Sequence, residues 1–162
     1  MKGRRFTCVL AGLILVVFAL ASPGALGEAL ERGQFYLFTS RFLEDIPKRL
    51  AGPGRFRFIL QPALATLLGV RDGVADARAD RGPYLLTLAF GSGMRGELVK
   101  SGLSAIANLL LMGILLDSVF QWVILGAVYP GAAVVVGPVL IAGPYAVARA
   151  LANRAARALR RG

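Results

Sequence analysis

Two long apolar runs near the C-terminus, residues 103–127 and 132–148, constrain this chain more than anything else in it. Tyr129, Pro130 and Gly131 separate them, and a single carboxylate, Asp117, lies inside the first. A helix rises about 1.5 Å per residue, so a hydrocarbon core of about 30 Å takes roughly 20 apolar residues. The first run spans that thickness with some tilt. The second is shorter and reaches the far interface if Tyr145 and Arg149 sit at headgroup level. Gly137, Pro138, Gly143 and Pro144 would break a water-soluble helix, but in lipid they are tolerated where neighbouring groups satisfy the freed carbonyls. The expectation is a transmembrane helical hairpin over residues 101–149.

The rest of the composition fits a membrane protein. Of 162 residues 56% are hydrophobic and 17% charged, an apolar excess that a soluble domain of this size could not hide. The formal charge of +10 suits either nucleic acid or anionic lipid headgroups. Basic residues flank the apolar runs, which favours a bilayer with anionic headgroups as partner and no nucleic acid. With one cysteine and no histidine, zinc and haem sites of the usual kind, Cys-His and Ser-His nucleophiles and imidazole proton shuttles lack their residues. No catalytic, metal or cofactor residue is expected. Cys8, in an apolar stretch, reads as a small buried hydrophobe ahead of a lipidation or redox role.

Residues 1–24 place Lys2, Arg4 and Arg5 before an apolar segment that ends at Ser22, Pro23 and Gly24. That is an uncleaved anchor or a signal-like helix; Ala19, Leu20 and Ala21 supply a small-x-small cleavage pattern. Residues 25–55 hold an amphipathic helix expected over residues 28–46, with Phe35, Phe38, Phe42 and Ile46 on one face and Pro47 as its stop. It lies in the interface or packs on the protein's own spans, and Lys48, Arg49, Arg55 and Arg57 then meet headgroups.

Residues 56–70 contain FILQPALATLLGV, apolar but interrupted by Gln61 and Pro62, and form a short third crossing or a re-entrant segment. Residues 71–100 read as a cytoplasmic loop. Within it, RDGVADARADR is expected to be a short solvated helix. Asp72, Asp76 and Asp80 share one side, either as a cation site or, in preference, as a wet helix face. The string DGVADAR approaches the signature of phosphotransferases that use CDP-activated lipids. It has one residue too many, and the further downstream aspartates of that chemistry are missing.

Positive charge gathers at the two ends of the hairpin, Arg95 and Lys100 at one and Arg149, Arg154, Arg157, Arg160 and Arg161 at the other. By the positive-inside rule both ends are cytoplasmic. A basic N-terminus on the same side then requires an even number of crossings, and four are expected, with three as the alternative. The last five arginines, in and beside a basic C-terminal tail over residues 150–162, are the expected headgroup-binding residues.

Inside the first hairpin helix Asp117 and Gln121 are four residues apart and share a face. A turn at Pro130 would bring Asp117 level with Tyr145. These three form the expected intramembrane polar cluster, either a hydrogen-bonded lock with Asp117 neutral or a proton-binding group in a transport path.

Two stretches carry a family likeness: RFRFILQPALATLLGVRDGVADARA over residues 55–79, and DSVFQW, VYPG, GPY and ANR between Asp117 and Arg154. Together they resemble a group of small uncharacterised bacterial inner-membrane proteins, which brings no activity with it. The expectation is therefore an all-α integral membrane protein of the bacterial inner membrane. Its expected role is that of a non-enzymatic accessory or assembly subunit, with other membrane proteins or further copies of itself as partners. The alternative is a component of a proton- or ion-coupled transporter that uses Asp117.

Overall fold

In the computed structural model the described residues are 2–90 and 95–160, with side chains from residue 5 onward. Arg161 and the side chains of Lys2 and Arg4, named above, lie outside them. Six α-helices follow one another: α1 Lys2–Arg32, α2 Ser40–Ala51, α3 Arg57–Arg78, α4 Tyr84–Phe90, α5 Arg95–Leu125 and α6 Pro130–Leu159. A 3-10 turn over Tyr36–Phe38 precedes α2. Four helical stretches are long and apolar enough to cross a membrane: Arg5–Arg32, Arg57–Arg78, Arg95–Leu125 and Pro130–Leu159. Only 11% to 33% of their most apolar windows is buried by the chain. Large apolar side chains such as Val16, Leu20, Leu67, Trp122, Val139 and Leu151 face outward, while Arg49, Arg57, Asp76, Asp117, Arg149 and Asn153 are buried. Charges inside and hydrocarbon outside is the reverse of a water-soluble fold, and it describes an all-α, multi-pass membrane protein.

The segment boundaries differ from those expected. α1 runs through Pro23 and Gly24 to Arg32, where Gly33 leaves the helix at φ +68°, a left-handed conformation glycine adopts without strain. The amphipathic helix begins at Ser40, not at residue 28, and continues through Pro47 to Ala51. Its polar side, Asp45 and Arg49, is the buried one, while Leu43, Ile46 and Leu50 are exposed, as are Phe35 and Phe38 before it. Phe42 packs edge-on against Tyr36, at 5.7 Å between ring centroids. Cys8 is exposed on α1, contrary to the buried reading.

The short crossing and the solvated helix are one helix. At 22 residues α3 is about 33 Å long, and it carries on past Val70 because a small-residue stripe continues where the apolar run stops. Ala65, Gly69, Gly73 and Ala77 fall every four residues and are all buried. Such spacing lets helix backbones approach closely. A Cβ at Gly69 would stand 2.5 Å from the Tyr145 carbonyl oxygen of α6.

The chain divides into two compact units, one of residues 1–59 and 110–139 and the other of residues 60–109 and 140–162. In the first, α5 ends at Gly126, φ +70°, and α6 opens on Pro130, a residue suited to a first helical turn. A Cβ at Gly137 would lie 2.9 Å from the Gly113 carbonyl carbon, so the two hairpin helices nearly touch there. Asp117, one turn beyond Gly113, is thereby level with Ala133. The expected level with Tyr145 assumed a later turn. In the second unit the stripe of α3 packs on α6, and Gly102 of α5 meets Tyr84 and Tyr145.

Candidate functional site: two buried ion-pair networks

The first unit is built around Asp117, which is wholly buried. Arg57, in the first turn of α3, places Nη1 2.5 Å from Asp117 Oδ1. Arg49, from the polar side of α2, lies 3.4 Å from the same oxygen. Gln121 Nε2 donates to Asp117 Oδ2 at 2.5 Å, and Gln121 Oε1 accepts the backbone N–H of Tyr129 at 2.7 Å. One helical turn of α5 thus holds the loop before α6 and both arginines. The guanidiniums are sheathed by aromatic rings: Arg57 over Phe58 and Phe120, Arg49 over Phe42 and Tyr36. Such contacts strengthen where water is excluded.

A rim of polar groups joins this core to the edge of the unit. Tyr36 stacks on Tyr129 at 3.8 Å and donates its hydroxyl to Asp45 at 2.8 Å, while Lys48 donates to Asp45 at 2.7 Å. Burial pushes the Tyr36 phenol up to about 12. Burial also works to raise the Asp45 carboxyl, but the bonds from Lys48 and Tyr36 outweigh it and hold it below its usual value. Glu28 at the end of α1 collects Arg32, Arg41 and the Tyr129 hydroxyl. Beside it, α1, α5 and the 126–129 loop line an apolar groove of about 630 Å³.

The second unit has its own network. Arg149, buried on α6, donates from Nε to Asp76 at 2.7 Å and from Nη1 to the Tyr145 hydroxyl at 3.0 Å. Tyr145 donates to Asp72 at 2.8 Å. The Arg149 guanidinium also sits 4.4 Å from the Tyr84 ring centroid. Arg81 reaches Asp76 at 3.4 Å, Asn153 donates to the Arg81 carbonyl at 3.1 Å, and Asp80 is exposed.

The expected residues are therefore redistributed. Asp117 and Gln121 are bonded as their spacing implied, but Tyr145 belongs with Asp72 and Arg149. Asp117 sits between two guanidiniums that the expected cluster did not include, because Arg49 and Arg57 turn inward instead of meeting headgroups. Arg149 is likewise buried in an ion pair and is not a headgroup residue. Arg160 donates to the Ala77 carbonyl in the last turn of α3 and Arg157 to the Arg81 carbonyl in the turn that follows it, and Arg154 is exposed. The aspartate face is fully wet at Asp80 and partly so at Asp72; Asp76 is buried because the small residues beside it bring α6 within reach. The sequence carries the signal: Asp72 and Asp76 recur at helical spacing beside Gly69 and Gly73, and Tyr145, Arg149 and Asn153 recur every four residues along one face of α6.

Both networks consist of cations and carboxylates whose oxygens are already occupied. Such a set orients helices and fixes which faces meet. No group of three or more potential metal-ligating His, Cys, Asp or Glu side chains occurs among the described residues. No family model, curated protein or solved structure matches the chain.

Proposed function

We propose that this is a non-enzymatic component of the bacterial inner membrane, an accessory or assembly subunit that works by packing against another membrane protein or a further copy of itself. The observation that carries the reading is the contrast between the buried ion pairs and the bareness of α1. Charged groups are spent on holding the chain's own helices. The α1 span, by comparison, has 11% of its apolar window buried, and a Cβ at Gly12, Gly24 or Gly27 would meet nothing within 4 Å. Glycines on an uncovered transmembrane face allow close approach by a neighbouring helix.

The second unit, with Arg71, Arg78, Arg81, Arg154, Arg157 and Arg160 at its helix ends, is the better candidate for the cytoplasmic side. Four crossings would leave Arg32, Arg41, Lys48, Arg49, Arg55 and Arg57 on the outer side, against the positive-inside rule; burial of Arg49 and Arg57 removes two of these from that tally and so supports four crossings. The bilayer's anionic headgroups are then its other partner.

The test is extraction of the tagged full chain in mild detergent. The reading expects one membrane protein, or a second copy, in fixed stoichiometry, and a fall in that partner's membrane level when this chain is deleted. A chain that purifies as a lone monomer, with no membrane protein depleted by its loss, overturns it.

The transporter reading rests on a carboxylate inside a span. The saturation of both Asp117 oxygens by Arg57, Arg49 and Gln121 favours the structural role over it.

A further inference from the structure

Within the second unit, at the C-terminal ends of α3 and α6, three guanidiniums surround a cavity of about 310 Å³: those of Arg78, Arg157 and Arg160, with Ala77 and Asp80 completing the lining. Two of them are already oriented. Arg157 Nη2 donates to the Arg81 carbonyl at 2.5 Å and Arg160 Nη1 to the Ala77 carbonyl at 3.0 Å. The Ala77 carbonyl belongs to the last turn of α3, where helix carbonyls attract cations, and the Arg81 carbonyl to the turn that follows, so each guanidinium is anchored along one edge. Arg157 Nε is buried and has no partner. Arg78 is exposed and takes no part in the capping bonds.

The carboxylate in the lining, Asp80, lies 3.6 Å from Arg157 with its side chain 96% exposed. Water screens a pair of that kind, and it contributes little. Three cations against one solvated carboxylate leave the concavity electropositive. Planar guanidiniums fit the oxygens of a phosphate group, which can accept from several forks at once. Both helices are candidate spans that end here, which sets the cavity at headgroup depth. Leu151 and Leu159 stay exposed on the same end of α6 and offer hydrocarbon contact that a free anion would not use.

We propose that Arg78, Arg157 and Arg160 bind the phosphate group of one anionic phospholipid. The site is a defined one, separate from any diffuse attraction of the basic tail, and it rests on membrane insertion and not on the assembly role.

The test is native mass spectrometry of the full chain in mild detergent, titrated with phosphatidylglycerol. Phosphatidylcholine and inorganic phosphate serve as separate arms. One phosphatidylglycerol is expected to bind in preference to both. Arg78→Gln should weaken it about fivefold, and Arg157→Gln with Arg160→Gln about twentyfold, each arginine near the surface contributing about one such factor. Asp80→Asn should tighten it about threefold by removing the opposing charge. Arg154→Gln, exposed on the same helix but outside the lining of the cavity, should change it less than about twofold, because solvent and salt screen a charge that does not touch the lipid.

Because Arg160 also caps α3 and Arg157 holds the turn after it, circular dichroism accompanies their variant, and the Arg78 arm decides if helicity is lost. Equal weakening by Arg154→Gln and Arg78→Gln would reduce the site to general surface charge and overturn the proposal. So would phosphatidylcholine binding as well as phosphatidylglycerol. Displacement of the lipid by equimolar inorganic phosphate would assign the pocket to a soluble anion instead.

Discussion

The two units solve the same problem with different charge arithmetic. In the first, two buried arginines share one aspartate, and the second arginine comes from α2, a helix outside the spans. In the second, one buried arginine on α6 is met by one carboxylate of α3, Asp76, with Arg81 in reserve beside that carboxylate and two tyrosine rings around the arginine. The first network therefore depends on a single residue, whereas the second has partial substitutes for its central pair. Buried ion pairs add little net stability, but removing one partner is costly because the other is stranded away from water. The contrast predicts unequal fragility.

The largest expected effect is at Asp117. Asp117→Asn strands two guanidiniums and should cost about 3 to 5 kcal/mol, read as loss of folded protein in a thermal or steric-trapping assay in micelles. Adding Arg57→Gln should recover part of that loss, since only Arg49 then lacks a counter-charge, and the non-additivity measures the coupling. A fully folded Asp117→Asn protein would break the comparison at its strongest point. Arg149→Gln should cost less, about 2 to 3 kcal/mol, because Arg81 remains 3.4 Å from Asp76. If it proves the more damaging of the two, the second unit is the fragile one.

Packing gives the next test. Gly69→Ala forces a methyl group to within 2.5 Å of the Tyr145 carbonyl oxygen, and Gly137→Ala one to within 2.9 Å of the Gly113 carbonyl carbon. In both cases the obstacle is backbone and cannot rotate away. Overpacking of this kind costs about 1 to 3 kcal/mol, with Gly69→Ala the worse of the two and Gly12→Ala, in open space, close to neutral. Equal melting temperatures for all three would show that helix approach does not limit stability in either unit.

What could be read from the sequence follows from which interactions are local. Segment length and hydropathy gave the hairpin, and four-residue spacing gave the Asp117–Gln121 bond, because both depend only on neighbours along one helix. Arg49 and Arg57 read as surface residues in the sequence because a basic residue beside an apolar run looks the same whether it snorkels outward or pairs inward. Only its tertiary partner, 68 residues away for Arg49, decides. Asp76 was hidden differently. A charged stretch after Val70 looked like water-exposed helix, while the signal that it stays packed was carried by Gly69, Gly73 and Ala77. Hydropathy counts such residues as weakly apolar, but their size is what brings α6 close.

The smallest effect expected lies at the edge of the first unit and distinguishes it from the second by its response to pH. Asp45 is outside the spans, and its carboxyl is held below the usual value by Lys48 and Tyr36 against the opposing influence of burial. A depressed folded-state pKa means the unfolded chain takes up the proton first. The stabilisation is thus complete above the unfolded value of about 4 and disappears as pH falls through the lower folded value. Melting temperatures of the wild type and Asp45→Asn, measured from pH 7 to pH 3, should therefore differ most at neutral pH and converge in acid. A gap of constant size across that range would mean that Asp45 holds Tyr36 by shape alone, and that the edge of the first unit is as insulated from water as its core.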